Sequence, residues 1–192
     1  MHVLILGAAG MIGRKLTERL LKEQRIGARE ISKLTLHDVV APNAPANAPF
    51  PVIALASDFS LPGEAEKLAA SKPDMIFHLA AIVSGEAEAD LDKGYRINLD
   101  GTRLLLDAIK KVGGGYKPRV VFTSSIAVFG APFPEAIGDE FFETPLTSYG
   151  TQKAMGELML ADYSRRGILE GVGIRLPTIC VRPGKPNKAA SG

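Results

Sequence analysis

Tyr149 and Lys153 stand four residues apart in Tyr149-Gly150-Thr151-Gln152-Lys153. On a helix this spacing puts a phenol and an ammonium on one face, with Cβ atoms ~5–6 Å apart. A free phenol titrates near ~10, and a neighbouring cation favours the phenolate and draws that value toward working pH. Such a tyrosine can take the proton of a substrate hydroxyl as hydride leaves the same carbon. Ser125, 24 residues upstream (149 − 125), closes the stretch Thr123-Ser124-Ser125 and supplies a hydroxyl able to polarise the same substrate oxygen. Taken singly, Y-x-x-x-K is also an ordinary surface pair, and small residues at a strand end are also an ordinary turn.

A second constellation lies at the start of the chain. Gly7-Ala8-Ala9-Gly10-Met11-Ile12-Gly13 follows a short apolar run and precedes a helical pattern. A strand that turns into a helix through glycines offers free backbone N–H groups and a positive dipole end to a pyrophosphate. Gly7 would permit the tight turn, Gly10 the close approach and Gly13 the packing of helix on sheet. The spacing is G-x-x-G-x-x-G rather than G-x-G-x-x-G, and three glycines in such a turn can be purely structural. Asp38 follows 31 residues after Gly7 (38 − 7). A carboxylate there accepts from the adenosine ribose hydroxyls and repels a 2′-phosphate, which selects NAD over NADP. A solvated turn aspartate is the plainer alternative.

The elements that must position these groups alternate between strands and helices. Residues His2–Leu6, Lys33–His37, Val52–Leu55, Met75–Leu79, Arg119–Thr123 and a run beginning at Gly173 read as strands. Met11–Lys22, Gly63–Ser71, Leu91–Val112 and Ser148–Arg165 read as helices, the third stopped by Gly113-Gly114-Gly115. Ala41–Pro51 reads as a loop. This alternation predicts a Rossmann-type α/β fold: a doubly wound parallel sheet in a three-layer αβα sandwich. Ligands of such sheets bind at the carboxyl ends of the strands, where the glycine turn, Ser125 and Tyr149 would all lie.

Composition narrows the function classes. The chain has 192 residues, enough for one core, with 46% hydrophobic and 23% charged residues. Its 23 basic and 21 acidic residues are interspersed, which disfavours nucleic acid or an anionic membrane as partner. No apolar stretch approaches the ~20 residues of a membrane span. Cys180 is the single cysteine, which excludes an internal disulfide and a cysteine-based zinc site. His37 and His78 have no second ligand at metal spacing, so no metal is expected. A soluble protein of a reducing cytoplasm fits this usage.

In this order the motifs resemble the extended branch of the short-chain dehydrogenase/reductase superfamily, the NAD-dependent epimerases and dehydratases. The likeness runs through Gly7, Gly10, Gly13, Asp38, Asp58, His78-Leu79-Ala80-Ala81, Asn98 in Asn98-Leu99-Asp100-Gly101-Thr102, Ser125, Tyr149, Lys153 and Arg175-Leu176-Pro177-Thr178. It implies that the Met11 and Ile12 amides also touch the pyrophosphate and that Asp58 meets the adenine. Leu79, Ala80 and Ala81 would lie along the cofactor, Asn98 would order the site, and Pro177 and Thr178 would border the nicotinamide. Lys153 would also hold the nicotinamide ribose. Ser125 aligns with the family's catalytic serine, and Ser124 would touch substrate, as would Ser125 and Tyr149.

Leu6 stands where that branch often has Thr. Arg175 to Asn187 departs from the usual epimerase segment and is similar to the D-erythronate dehydrogenase group, as is Ala81 to Glu88; uronate dehydrogenases are close neighbours. The resemblance therefore implies an NAD-dependent oxidoreductase acting on a secondary hydroxyl of a small sugar acid, D-erythronate to the 2-oxo acid, with Tyr149 as base, Lys153 lowering its pKa and Ser125 polarising the oxygen. A nucleotide-sugar epimerase or dehydratase with tightly held NAD, and a non-catalytic cofactor sensor, are the alternatives. The expected division is an NAD-binding domain over 1–181 and the start of a truncated substrate-binding region over 182–192, a homodimer being allowed. Arg182, Lys185 and Lys188 could meet a substrate carboxylate or form a solvated tail.

Overall fold

The computed structural model describes residues 1–179. Cys180, the boundary at 181 and the basic residues Arg182, Lys185 and Lys188 lie outside them. Strand β1 (His2–Leu6) is apolar from Val3 onward because it is flanked on both edges and covered on both faces; Val3, Leu4, Ile5 and Leu6 have no exposed surface. It pairs in parallel with β4 (Lys33–Asp38) and with β6 (Met75–His78). With β5 (Val52–Ala56), β7 (Arg119–Ser125) and β8 (Glu170–Leu176) these make one six-stranded sheet of order β5-β4-β1-β6-β7-β8. The chain thus winds outward from β1 in one direction, then returns and winds outward in the other. The reversal between β1 and β6 opens a crevice at the carboxyl ends of those strands.

Side-chain alternation along β1 divides the core in two. Val3 and Ile5 join Leu34, Leu36 and Leu20 under helix α1 (Met11–Glu23). Leu4 and Leu6 join Ile76, Val120 and Phe122 under α2 (Glu64–Ala70), α5 (Gly101–Val112) and α6 (Ser148–Arg165). The expected three-layer, doubly wound sheet is what the structure has.

Several elements differ from expectation. A short antiparallel hairpin, β2 (Arg25–Ile26) with β3 (Arg29–Glu30), occupies the extra length before the second main strand. It turns at Gly27, which has a φ of +58°, and it lacks the apolar alternation by which a strand is recognised. An additional helix, α3 (Ser84–Ala89), precedes the long helical region. That region is three pieces: α4 (Leu91–Gly94), a single π-helical segment over Tyr95–Asp100, and α5. Strand β8 begins at Glu170 rather than Gly173. Its Gly171 lies so close to α6 that an added Cβ would stand 2.7 Å from Leu160, and glycine in a strand weakens the sequence signal. No helix among the described residues is long and apolar enough to cross a membrane.

Candidate active site

The turn after β1 is built by backbone. The amides of Gly7 and Ala8 both donate to the His37 carbonyl, at 2.9 and 3.1 Å. Gly7 has a φ of +87°, and a Cβ there would lie 2.7 Å from the Ala80 nitrogen. At Gly13 a Cβ would lie 2.1 Å from the Gly7 carbonyl oxygen, so this glycine lets helix and turn interlock. Gly10 is different: it is exposed, and its added Cβ would meet only the Gly7 oxygen at 3.3 Å. The fold itself does not demand glycine at position 10. Helix α1 begins directly after it with no side-chain cap and no acidic residue in its first turn. Uncapped N–H groups at a positive helix end, next to a residue without a side chain, fit a pyrophosphate. Asp38 accepts from the Ala9 amide at 2.9 Å, which places its carboxylate beside this turn.

On the other side of the crevice, residues that the sequence separates widely border one cavity of about 560 Å³. They include Ile12, Leu79, Ser125, Tyr149, Lys153 and Pro177. Helix α6 starts where Thr147 accepts from the Gly150 amide at 3.0 Å, an N-cap that fixes the entry of Tyr149. Gly150 permits this: a Cβ there would lie 2.1 Å from the Ala127 carbonyl. Lys153 is fully buried. Its Nζ donates to the Thr123 carbonyl at 2.7 Å and lies 4.7 Å from the Phe122 ring centroid and 5.7 Å from that of Tyr149. Burial pulls its pKa down to about 8, with the Glu157 carboxylate opposing the fall.

The Tyr149 phenol departs from expectation. Burial raises its pKa, and a hydrogen bond from Ser125 is the counteracting influence. The ammonium of Lys153 is directed at the strand carbonyl, so desolvation outweighs it at the phenol. Ser125 in turn accepts from the Ala127 amide at 3.1 Å.

Asn98 sits in the π-helical segment, buried. It accepts from the Ile82 amide at 2.9 Å, donates to the Ile82 carbonyl at 3.2 Å and donates to Gln152 at 2.8 Å. It thereby ties the backbone after β6 to the helix of Tyr149, an ordering contact and not a cavity-facing one; π segments commonly mark such places. Asp58 is paired to Arg96 at 2.8 Å and to Ser60; burial works against its carboxylate, and these partners still hold it below its usual range. Asp58 and Asp38 lie outside the cavity. Ser124 borders the cavity, yet its hydroxyl, nearly without exposed surface, donates to Glu157 and not toward a substrate position.

His78 is buried against Phe59 and Phe122, and burial with Lys153 nearby lowers its pKa to about 3; its Nε2 bonds Thr102 at 2.9 Å. It is a neutral core residue. Among the described residues no cluster of three or more His, Cys, Asp or Glu side chains is placed to hold a metal. Thr147, Gln152 and Glu157 are among the residues of the site that were not anticipated. Glu157 follows Lys153 by one helical turn, a spacing that is legible once Lys153 is placed.

Comparison with known proteins fits this geometry. Two curated proteins named D-erythronate dehydrogenase, from Cupriavidus necator and Haemophilus influenzae, are each 47% identical over the whole chain, which spans 59% of their length. A crystal structure of a nucleoside-diphosphate-sugar epimerase from Agrobacterium tumefaciens is 68% identical, with a TM-score of 0.96, over all of this chain and 56% of that one. UDP-glucose 4-epimerase from Brucella ovis in complex with NAD is 28% identical, with a TM-score of 0.73, over 91% of this chain and 51% of that one. The family model described as NAD dependent epimerase/dehydratase family matches residues 3–191. The chain belongs to the NAD dependent epimerase/dehydratase family.

Proposed function

We propose that this chain supplies the NAD-binding and catalytic part of a dehydrogenase that oxidises the C2 hydroxyl of a small sugar acid, with D-erythronate as the leading substrate. The observation that carries the reading is the single cavity that brings Ser125, Tyr149 and Lys153 together beside Pro177 and Leu79. The 47% identity to two D-erythronate dehydrogenases supports the substrate class. In this reading residues 1–181 are the NAD-binding domain and 182–192 begin the substrate-binding region.

The amides of Met11 and Ile12 would hold the pyrophosphate, with Gly10 allowing its close approach and Gly7 and Gly13 shaping the turn, and Asp38 would take the adenosine ribose. Asp58 with Arg96 would flank the adenine. Leu79, Ala80 and Ala81, held through Asn98, would line the cofactor's path to Pro177 and Thr178 at the nicotinamide. When bound, NAD supplies the hydride acceptor. Ser125 donates to the substrate oxygen, and the Tyr149 phenolate takes the hydroxyl proton as the C–H electron pair leaves, yielding a 2-oxo acid, NADH and one proton overall. Lys153 holds a positive charge one turn from the phenol and binds the nicotinamide ribose. That charge stabilises the phenolate that burial alone disfavours.

A nucleotide-sugar epimerase is the second reading, because the 68% identical structure carries that name. The deciding experiment incubates the intact protein with NAD and a panel of four- to six-carbon sugar acids and UDP-sugars. Stoichiometric NADH from a sugar acid establishes the dehydrogenase. Epimerised UDP-sugar without net NADH replaces it with the epimerase.

A further inference from the structure

One face of helix α6 lies along the end of β7. Tyr149 borders the same cavity as Ser125, Lys153 donates to the Thr123 carbonyl, and Glu157 accepts from the Ser124 hydroxyl. Positions i, i+4 and i+8 of one helix face thus stand beside residues 125, 123 and 124 of one strand. The first two contacts belong to the proposed chemistry. The third does not: Glu157 does not border the cavity that Tyr149 and Lys153 share, and it lies instead behind the strand with Arg175.

Arg175 sits directly opposite Ser124 in the register of β7 and β8. Its Nη2 donates to Glu157 at 2.8 Å and its Nε to both carboxylate oxygens at 3.1 Å. The same guanidinium reaches Glu143 at 2.5 Å and the Asp139 carbonyl at 3.2 Å, and it lies 4.9 Å from the Phe129 ring centroid. It therefore fastens three elements together: the edge strand, the catalytic helix and the long connection that leads into Tyr149. Glu143 and Glu157 share this one guanidinium. Glu143 is raised by burial and by Glu157, whereas Glu157 is held down by Arg175 and Ser124 against its own burial. A partly buried ion pair adds little net stability over an apolar packing of the same shape, so its consequence here is geometric.

We propose that Glu157 and Arg175 are positioning residues for the oxidation: clamped by Arg175, Glu157 holds Ser124 and so sets the strand end from which Ser125 and the Thr123 carbonyl present themselves to Tyr149 and Lys153. The inference rests on the dehydrogenase reading for its kinetic consequence, and on the hydrogen-bond geometry alone for its structural one. It reassigns Ser124 from the substrate to this clamp.

The test compares the intact wild-type protein with Ser124→Ala, Glu157→Gln and the double variant. A positioning role predicts a kcat at least tenfold lower in each single variant, with KM for NAD and for the sugar acid within twofold. The double variant falls no further than the worse single, since both changes act on one link. Hydrogen exchange of residues 123–127 is expected to quicken at least tenfold, with the rest of the sheet unchanged. A Ser124→Ala protein with unchanged kcat and raised substrate KM returns Ser124 to the substrate and overturns the inference. So does unchanged exchange over 123–127. Should Glu157→Gln fail to fold, Ser124→Ala, which removes one hydroxyl only, decides by the same readouts. A wild type that makes no NADH from any sugar acid defeats the functional reading instead, and the exchange measurement still judges the clamp.

Discussion

The Ala9 amide donates to the Asp38 carboxylate at 2.9 Å, so the glycine turn and the end of the second main strand are joined through one side chain. Its other oxygen accepts from the Val40 amide at 3.4 Å, and the carboxylate faces the turn where a ribose would lie. Asp38→Ala is expected to raise the NAD dissociation constant about tenfold, a loss of ~1.4 kcal/mol, with weaker discrimination against NADP. Titration calorimetry with both nucleotides measures this. An unchanged NAD affinity would remove Asp38 from the cofactor site.

The glycines of the turn make opposite predictions. Gly13→Ala forces a methyl to within 2.1 Å of the Gly7 carbonyl oxygen, and such overpacking costs ~1–3 kcal/mol or more. Gly10→Ala meets its neighbour at 3.3 Å and should leave the unfolding midpoint nearly unchanged while weakening NAD binding several-fold. Thermal unfolding with and without NAD separates the two. A Gly10→Ala protein that binds NAD like the wild type would show that nothing approaches this backbone closely.

Tyr149→Phe keeps the ring and removes the phenolic oxygen. General-base contributions run to ~10²–10⁴ in rate, so turnover should fall by at least two orders of magnitude while NAD affinity stays within twofold. Steady-state kinetics beside calorimetry checks both, and a variant of near wild-type turnover would displace Tyr149 as the base.

Lys153 carries a stability signature of its own. Its pKa falls from 10.5 to about 8 on burial. Between those values the unfolded chain binds the extra proton, so this group makes the fold more stable as pH rises through that window. Below it, keeping the buried ammonium charged costs about 3 kcal/mol. Lys153→Met should therefore raise stability at neutral pH by about 1–3 kcal/mol, part of the gain being offset by the Thr123 carbonyl left without its donor. The stability difference between wild type and variant should shrink from pH 8 to pH 10, and activity should be lost throughout. Urea unfolding at several pH values measures it; a gap that is constant across that range would place the charge elsewhere.

Much of the fold is legible in residue order because its signals are local. The bounds of α6, the apolar run of β1 and the turn at Gly7 follow from periodicity and from glycine, and each survives in the structure. The hairpin at Gly27 and the glycine-bearing start of β8 escape such reading. The first has no apolar alternation, and the second owes its place to pairing with β7 and to close contact with Leu160.

The site divides in the same way. The i, i+4 spacing of Tyr149 and Lys153, and the glycines before α1, are one-dimensional facts from which the chemistry and the dinucleotide can be argued. Which way each side chain is turned is not. Ser124 and Ser125 are adjacent and identical in type, and only the packed partners tell them apart: Glu157, clamped by Arg175, takes the Ser124 hydroxyl, while Ser125 shares the cavity with the phenol. Lys153 likewise reads as a cation beside a tyrosine, but its burial and its bond to the Thr123 carbonyl decide how its charge is held. Residue spacing determines which groups can meet. Desolvation and the competition for hydrogen-bond partners, which exist only once the chain has packed, determine the state in which they meet.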